Sequence, residues 1–249
     1  MQYTKVAIVG FGRFGKTLYR LLREDFSIVL FNRSPKAFEK LDILDGVTIA
    51  QSLQEVLRCE VIFYAVSIGS FETTIREHAP YFTNQLIIDV LSVKQWPKKV
   101  FTKYLKNTRI EAILTHPMFG PVSTRHGFEG QRIVMENFRV SREKYEFWKS
   151  YFGRKGLEVI EMPAKEHDEL VAKTQATTHF MARILNEFGY GSTPIDTDSV
   201  AKQREVVEQL TGNSEVLFYD MFRFNPEAQK ALIKLEKIFK KLARECSRS

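Results

Sequence analysis

The chain has 249 residues, 44% hydrophobic and 27% charged, with 20 Phe. That composition excludes a disordered, collagen-like or low-complexity chain, and the length allows one large domain or two modest ones, each around a real core. The formal net charge of +7 calls for an anionic ligand or a solvated basic surface.

Short apolar runs predict strands at Lys5–Val9, Ile28–Phe31, Val47–Ile49, Val61–Val66 and Leu86–Val90, with helical patterns between them. Runs apolar on both faces indicate a parallel sheet covered on both sides. Ser34 before Pro35 reads as a helix start, and Ser52 with Glu55 has capping-box spacing. Further strands are expected at Ile110–Leu114, Gln131–Met135 and Leu157–Glu161, with Ser141 capping the helix between the last two. Beyond Pro163 nothing reads as a strand. Helical patterns run from about Ala164 to Glu187, Ser199 to Leu210 and Pro226 to Arg244, the last capped by Asn225. The expected division is therefore a nucleotide-binding domain over 1–162 and a helical domain over 163–249.

Lys94, Lys98, Lys99, Lys103, Lys106 and Arg109 form one basic cluster, and the C-terminal helix carries another. Neither has aromatic residues arranged as a base-stacking platform, so both read as solvated helix faces and no nucleic acid is expected. Cys59 and Cys246 are far apart and match no metal spacing, which fits a reducing compartment and no metal centre. No apolar run approaches the ~18 residues of a membrane span. The strand-like Val6-Ala7-Ile8-Val9 follows Met1 almost at once, leaving no room for a signal peptide, so a cytoplasmic location is expected.

The first chemical motif is Gly10-Phe11-Gly12-Arg13-Phe14-Gly15, between a strand and a helix. Gly10 permits the tight turn, Gly12 lets a pyrophosphate approach the backbone, and Gly15 allows helix to pack on strand. The helix start offers free N–H groups and a positive dipole end. The expected fold is α/β: a Rossmann-type, doubly wound, mostly parallel sheet followed by an all-helical C-terminal domain. The second strand ends in Asn32-Arg33-Ser34. NAD enzymes normally place Asp or Glu here for the ribose 2′-hydroxyl. Asn32 removes that carboxylate, and Arg33 and Ser34 suit a 2′-phosphate, so NADP is expected over NAD.

The second motif is Thr115-His116-Pro117-Met118-Phe119-Gly120-Pro121. It reads as a histidine on a turn at a strand's C-terminal end, where open α/β sheets bind ligands. Such a histidine is a general base or a structural turn residue. His78 reads as a helix-surface residue, and His126 is open.

Together with Asp89-Val90-Leu91-Ser92-Val93-Lys94, Glu166-His167-Asp168, Gln175, Thr178-His179, Ser192–Thr197 and Leu217–Asn225, these motifs resemble the arogenate/prephenate dehydrogenase family of tyrosine biosynthesis, most of all its plant-type branch. They occur in family order over nearly the whole chain. The resemblance implies NAD(P)-dependent oxidative decarboxylation of a cyclohexadienyl substrate. Hydride leaves the ring carbon that bears the hydroxyl, and the ring carboxylate leaves as CO2. It gives His116 the role of catalytic base towards that hydroxyl and Ser92 that of orienting histidine or substrate. Gln175 and His179, four apart and so on one helix face, Thr197 and, by position, Arg204 fall on the substrate side. The bacterial-type arginine segment that holds the ring carboxylate is absent. The stretch around Asn213 is acidic in arogenate-preferring relatives and neutral in prephenate-preferring ones, so Asn213 favours prephenate over arogenate.

The resemblance also implies a homodimer formed through the helical domain, and no separate regulatory domain is recognisable. Phosphates and carboxylates of the proposed ligands account for part of the charge, with Lys94 contributing to that field. Two other readings stay open: another NADP reductase of the same architecture, which leaves His116–Gly120 unexplained, and a non-catalytic NADP-binding sensor.

Overall fold

The computed structural model describes residues 3–39, 46–212 and 214–247. The chain divides into two compact units, Met1–Ala164 and Lys165–Ser249.

The first unit is built on one eight-stranded sheet. Its strands are β1 (Lys5–Val9), β2 (Ser27–Phe31), β3 (Val47–Ile49), β4 (Val61–Tyr64), β5 (Leu86–Asp89), β6 (Glu111–Pro117), β7 (Arg132–Arg139) and β8 (Glu158–Glu161), in the spatial order 3-2-1-4-5-6-7-8. All neighbouring pairs are parallel except β6 with β7. This is the Rossmann-type arrangement. The order reverses between β1 and β4, which opens a crevice at the strands' C-terminal ends. Strands β4 and β5 are buried at every position, as Val/Ile/Phe-rich runs between two helical layers must be.

Helices α1 (Arg13–Leu22), α2 (Leu53–Val56), α3 (Ile68–His78), α4 (Gln95–Tyr104) and α5 (Arg142–Arg154) cover the sheet. Ser141 caps α5, accepting from the Lys144 N–H at 3.4 Å. Trp148 of α5 is fully buried, with the rings of Tyr3, Phe26, Phe63, Tyr151 and Phe152 all centred within 5.7 Å of it. Aromatic pairs of this kind contribute about 0.5–1.5 kcal/mol each beyond their area, so α5 is firmly anchored. Glu55 does not form the expected capping box: it accepts from the Ser52 hydroxyl at 3.2 Å and the Gln51 N–H at 3.3 Å, while the Ser52 side chain accepts no cap hydrogen bond.

The second unit is helical: α6 (Ala164–Val171, whose first residue belongs to the first unit), a π turn (Ala172–Ala176), α7 (Thr177–Phe188), α8 (Asp198–Thr211), α9 (Glu215–Arg223) and α10 (Pro226–Cys246). The single helix expected from Ala164 to Glu187 is thus interrupted. At the interruption the Thr177 hydroxyl donates to the carbonyl of Ala172, five residues back, at 2.8 Å. Gly189, at φ +85°, ends α7 in the left-handed conformation. Asn225 is fully buried. Its Oδ1 accepts from the N–H groups of Glu227 and Ala228, and its Nδ2 donates to the Asp168 carbonyl at 3.0 Å. One side chain therefore caps α10 and ties it to α6. Ala172, Ala176 and Ala228 pack there, small enough to let the helices approach closely. Among the described residues no helix is long and apolar enough to cross a membrane, and no cluster of three His, Cys, Asp or Glu could hold a metal ion.

Candidate active site

A cavity of about 1070 Å³ lies at the C-terminal ends of β1, β2 and β4. Its floor is the glycine turn, and each glycine has a distinct task. Gly10 sits at φ +98°, and a Cβ there would lie 2.6 Å from the Ala65 carbonyl oxygen. A Cβ on Gly15 would lie 2.1 Å from the Gly10 carbonyl oxygen. A Cβ on Gly12 would meet nothing within 4 Å, and Gly12 lines the cavity. Open space over Gly12, at the start of a helix with no acid in its first turn, is the cradle a pyrophosphate needs. The residues present fit a nicotinamide dinucleotide.

Phe11 is a core residue, stacked on Phe38 at 5.2 Å. Arg13 is exposed, and half-buried Phe14 lies 6.1 Å from Phe119. Asn32 lines the cavity, but its amide is committed at both ends. Its Oδ1 accepts from the Phe11 N–H at 3.0 Å, and its Nδ2 donates to the Ser34 carbonyl at 2.9 Å. Asn32, standing where a ribose-binding carboxylate is absent, thus fastens the glycine turn to the β2 loop, while Arg33 and Ser34 stay exposed on the cavity wall. His78, expected on a helix surface, is buried at the edge of the same cavity with Nδ1 2.8 Å from the Tyr64 hydroxyl. The reason is its position at the end of α3, where the helix face turns onto β4. Burial lowers its pKa to about 4 and pushes the Tyr64 phenol well up.

The ends of β5 and β6 carry the second group of residues. His116 is not on a turn. It lies within β6 and is buried, because β7 returns antiparallel and pairs as far as Pro117, with His116 opposite Val134 and Pro117 opposite Ile133. The chain leaves the strand only at Met118. The Ser92 hydroxyl, just beyond β5, is buried and has no hydrogen-bond partner among the described residues. An unsatisfied buried hydroxyl is costly and marks a place for a missing partner. Lys94, expected to contribute to an exposed field, is instead 1% exposed and donates to the Asp89 carboxylate and the Thr115 carbonyl. Burial pushes the Asp89 carboxyl up, and Lys94 with the Leu91 and Thr115 N–H groups pulls the other way. His126 is exposed.

In the second unit Gln175 lies in the π turn, and its Oε1 is buried without a partner among the described residues. His179, on the next turn, is 8% exposed, and burial lowers its pKa. His167 is buried with Nδ1 2.8 Å from the Asp168 carboxylate. Thr197 serves as the N-cap of α8, its hydroxyl accepting from the Val200 N–H at 3.4 Å. Arg204 is paired with Asp196, which also accepts from the Thr193 hydroxyl at 2.6 Å. Nothing in the sequence pattern announced that pair, although the eight-residue spacing from the residue before the α8 cap to the second turn of the helix permits it. Asn213 lies outside the described residues.

The family profile described as prephenate dehydrogenase, nucleotide-binding domain, matches residues 20–145, and one described as TYRAAT1-like, C-terminal domain, matches residues 184–248. Arogenate dehydrogenase 2, chloroplastic, of Arabidopsis thaliana is 32% identical over 254 residues, spanning 97% of this chain and 69% of its own length. Arogenate dehydrogenase 1, chloroplastic, of the same plant is 31% identical over 249 residues, spanning 96% of this chain and 38% of its own length. Among solved structures, prephenate dehydrogenase from A. aeolicus in complex with hydroxyphenyl propionate and NAD+ superposes with a TM-score of 0.75 at 17% identity, over 100% of this chain and 93% of that one. Synechocystis arogenate dehydrogenase gives 0.68 at 18% identity, over 98% and 92%.

Proposed function

The chain belongs to the arogenate/prephenate dehydrogenase family of oxidoreductases, and from that premise we propose that it catalyses NADP-dependent oxidative decarboxylation of prephenate to 4-hydroxyphenylpyruvate. The observation that carries this reading is the buried His116 on β6, beside a strand, β5, just beyond whose end the Ser92 hydroxyl is buried with no hydrogen-bond partner among the described residues. The bound cofactor supplies the hydride acceptor. The glycine turn and the start of α1 bind its pyrophosphate, and the Arg33 guanidinium with the Ser34 hydroxyl takes the 2′-phosphate. His116 accepts the proton of the substrate's ring hydroxyl as that carbon is oxidised. Ser92 donates to, or accepts from, the same hydrogen-bonded pair, which satisfies its own buried oxygen. Loss of CO2 makes the ring aromatic and supplies the driving force, so the residues act mainly by positioning. By the family resemblance, Gln175, His179 and Thr197 are assigned to substrate binding. Arg204, tied to Asp196, reaches a substrate carboxylate only by leaving that partner.

A neutral amide at Asn213 suits a keto side chain, whereas a substrate ammonium favours a carboxylate. Arogenate is the second reading, favoured by the names of the two Arabidopsis relatives. Relative kcat/KM for the two substrates separates them: Asn213→Asp should shift the ratio towards arogenate, and an unmoved ratio removes the Asn213 argument. Phe188, Ile195, Val216, Tyr219, Ile233 and Phe239 of the second unit are all more than half exposed. Such apolar exposure supports a homodimer, which a sedimentation mass of one chain would contradict. A reducing, cytoplasm-like compartment belongs to the same proposal and rests on the sequence reading of Cys59 and Cys246.

A further inference from the structure

Thr115, the residue before His116, pairs with Met135 of β7. Its main-chain N–H and carbonyl nevertheless both point the other way, towards β5. The N–H donates to Asp89 Oδ2 at 3.2 Å, and the carbonyl accepts from the Lys94 ammonium. Strand β5 ends at Asp89, opposite Leu114, so no backbone remains there to continue the ladder. Two side chains replace it, Asp89 as acceptor and Lys94 as donor. The same carboxylate's Oδ1 accepts from Lys94 and from the Leu91 N–H, the latter at 3.1 Å, which fixes the backbone entering Ser92. The Thr115 hydroxyl closes the set by donating to the Asp89 carbonyl at 2.6 Å.

Charge placement makes this an expensive way to join two strands. Lys94 is the N-cap residue of α4, a position whose dipole disfavours a cation. Both charges are almost fully buried, where an ion pair stabilises little or not at all relative to apolar residues of the same shape. What the pair does provide is directional: it fixes the peptide linking Thr115 to His116 and the peptide linking Val90 to Leu91, one residue ahead of Ser92, from a single point.

We propose that Lys94 and Asp89 are positioning residues that replace the missing end of β5 and hold His116 and Ser92 in register for the reaction. The inference rests on the dehydrogenase reading above. A misplacement of about 1 Å in such a site costs ~10²-fold in rate.

The test uses the full chain, NADP and whichever of prephenate or arogenate the wild type turns over. The double variant Asp89→Asn/Lys94→Met removes both charges without leaving either one buried alone. The expected result is a melting temperature, cofactor Kd and substrate KM close to wild type, with kcat lowered ~10²-fold. A merely structural pair would leave kcat per folded molecule unchanged, and that result overturns the proposal. If the double variant does not fold, Thr115→Val removes only the hydroxyl bond to Asp89. It should lower kcat about tenfold at an unchanged KM, and wild-type kcat there overturns the proposal equally. A wild type inactive on both substrates defeats the functional reading itself, a distinct outcome.

Discussion

Two glycines of the same turn should fail in opposite ways. An alanine Cβ at Gly15 would sit 2.1 Å from the Gly10 carbonyl oxygen, against an ordinary C···O approach of about 3.3 Å. The overlap is therefore about 1.2 Å. The obstacle is backbone, itself held by the Gly10 N–H bond to the Phe31 carbonyl at 2.8 Å, so it cannot rotate away and α1 must lift from the turn. Overpacking of this kind costs about 1–3 kcal/mol. For a chain of this size each kcal/mol lowers the melting temperature by ~2–4 °C, which gives a fall of roughly 2–12 °C for Gly15→Ala. At Gly12 the added Cβ meets nothing within 4 Å, and exchanging glycine for alanine at a helix N-cap costs below ~1 kcal/mol. The methyl instead occupies the space over which a pyrophosphate must lie. Gly12→Ala should melt within about 4 °C of wild type and bind NADP at least ~10-fold more weakly, a loss of ~1.4 kcal/mol. Thermal melts with a fluorescence titration of cofactor measure both. Wild-type cofactor affinity in Gly12→Ala, or a wild-type melt in Gly15→Ala, would refute the division of labour.

His116→Asn should fold and bind NADP normally while kcat falls ~10²–10⁴-fold, the range for removing a general base; steady-state turnover beside a cofactor titration checks it. Arg33→Ala should raise KM for NADP and leave KM for NAD nearly unchanged, and equal effects on both cofactors would exclude Arg33 from reading the 2′-phosphate. His78 gives the chain a pH dependence of defined sign. The unfolded histidine protonates near 6.5, whereas the folded one resists to about 4. Its contribution is therefore complete above pH 6.5 and is lost as the pH falls towards 4, by on the order of 3 kcal/mol in all. Urea midpoints should decline over that interval, and His78→Gln should flatten the decline while keeping an acceptor for the Tyr64 hydroxyl.

The nucleotide-binding half was legible because its signals are local. Glycine spacing and a double-faced apolar strand are both read within a few residues. The misplaced residues are those whose setting depends on a distant strand. His116 looked like a turn residue because Pro117 and Gly120 follow it, and only the return of β7 extends β6 through Pro117. Lys94 looked solvated because it opens a basic stretch, yet its partners are Asp89 and Thr115, the latter 21 residues away. His78 is polar on an amphipathic helix, and nothing in its neighbours reveals the Tyr64 hydroxyl waiting on β4. In the helical half, Asn225 ahead of Pro226 carries a standard cap signal, whereas Thr197, expected only on the substrate side, proves to cap α8. The π turn at Gln175 has no such signal; the bond of the Thr177 hydroxyl to the carbonyl five residues back is seen only in the structure.

Reduction of NADP by the purified chain, followed by the absorbance of the reduced nicotinamide with prephenate and with arogenate in separate reactions, tests the dehydrogenase activity itself. The account predicts substrate-dependent NADPH formation with release of CO2, faster with prephenate, and its loss in His116→Asn. No NADPH from either substrate would contradict it and leave the chain a nucleotide-binding protein of another activity.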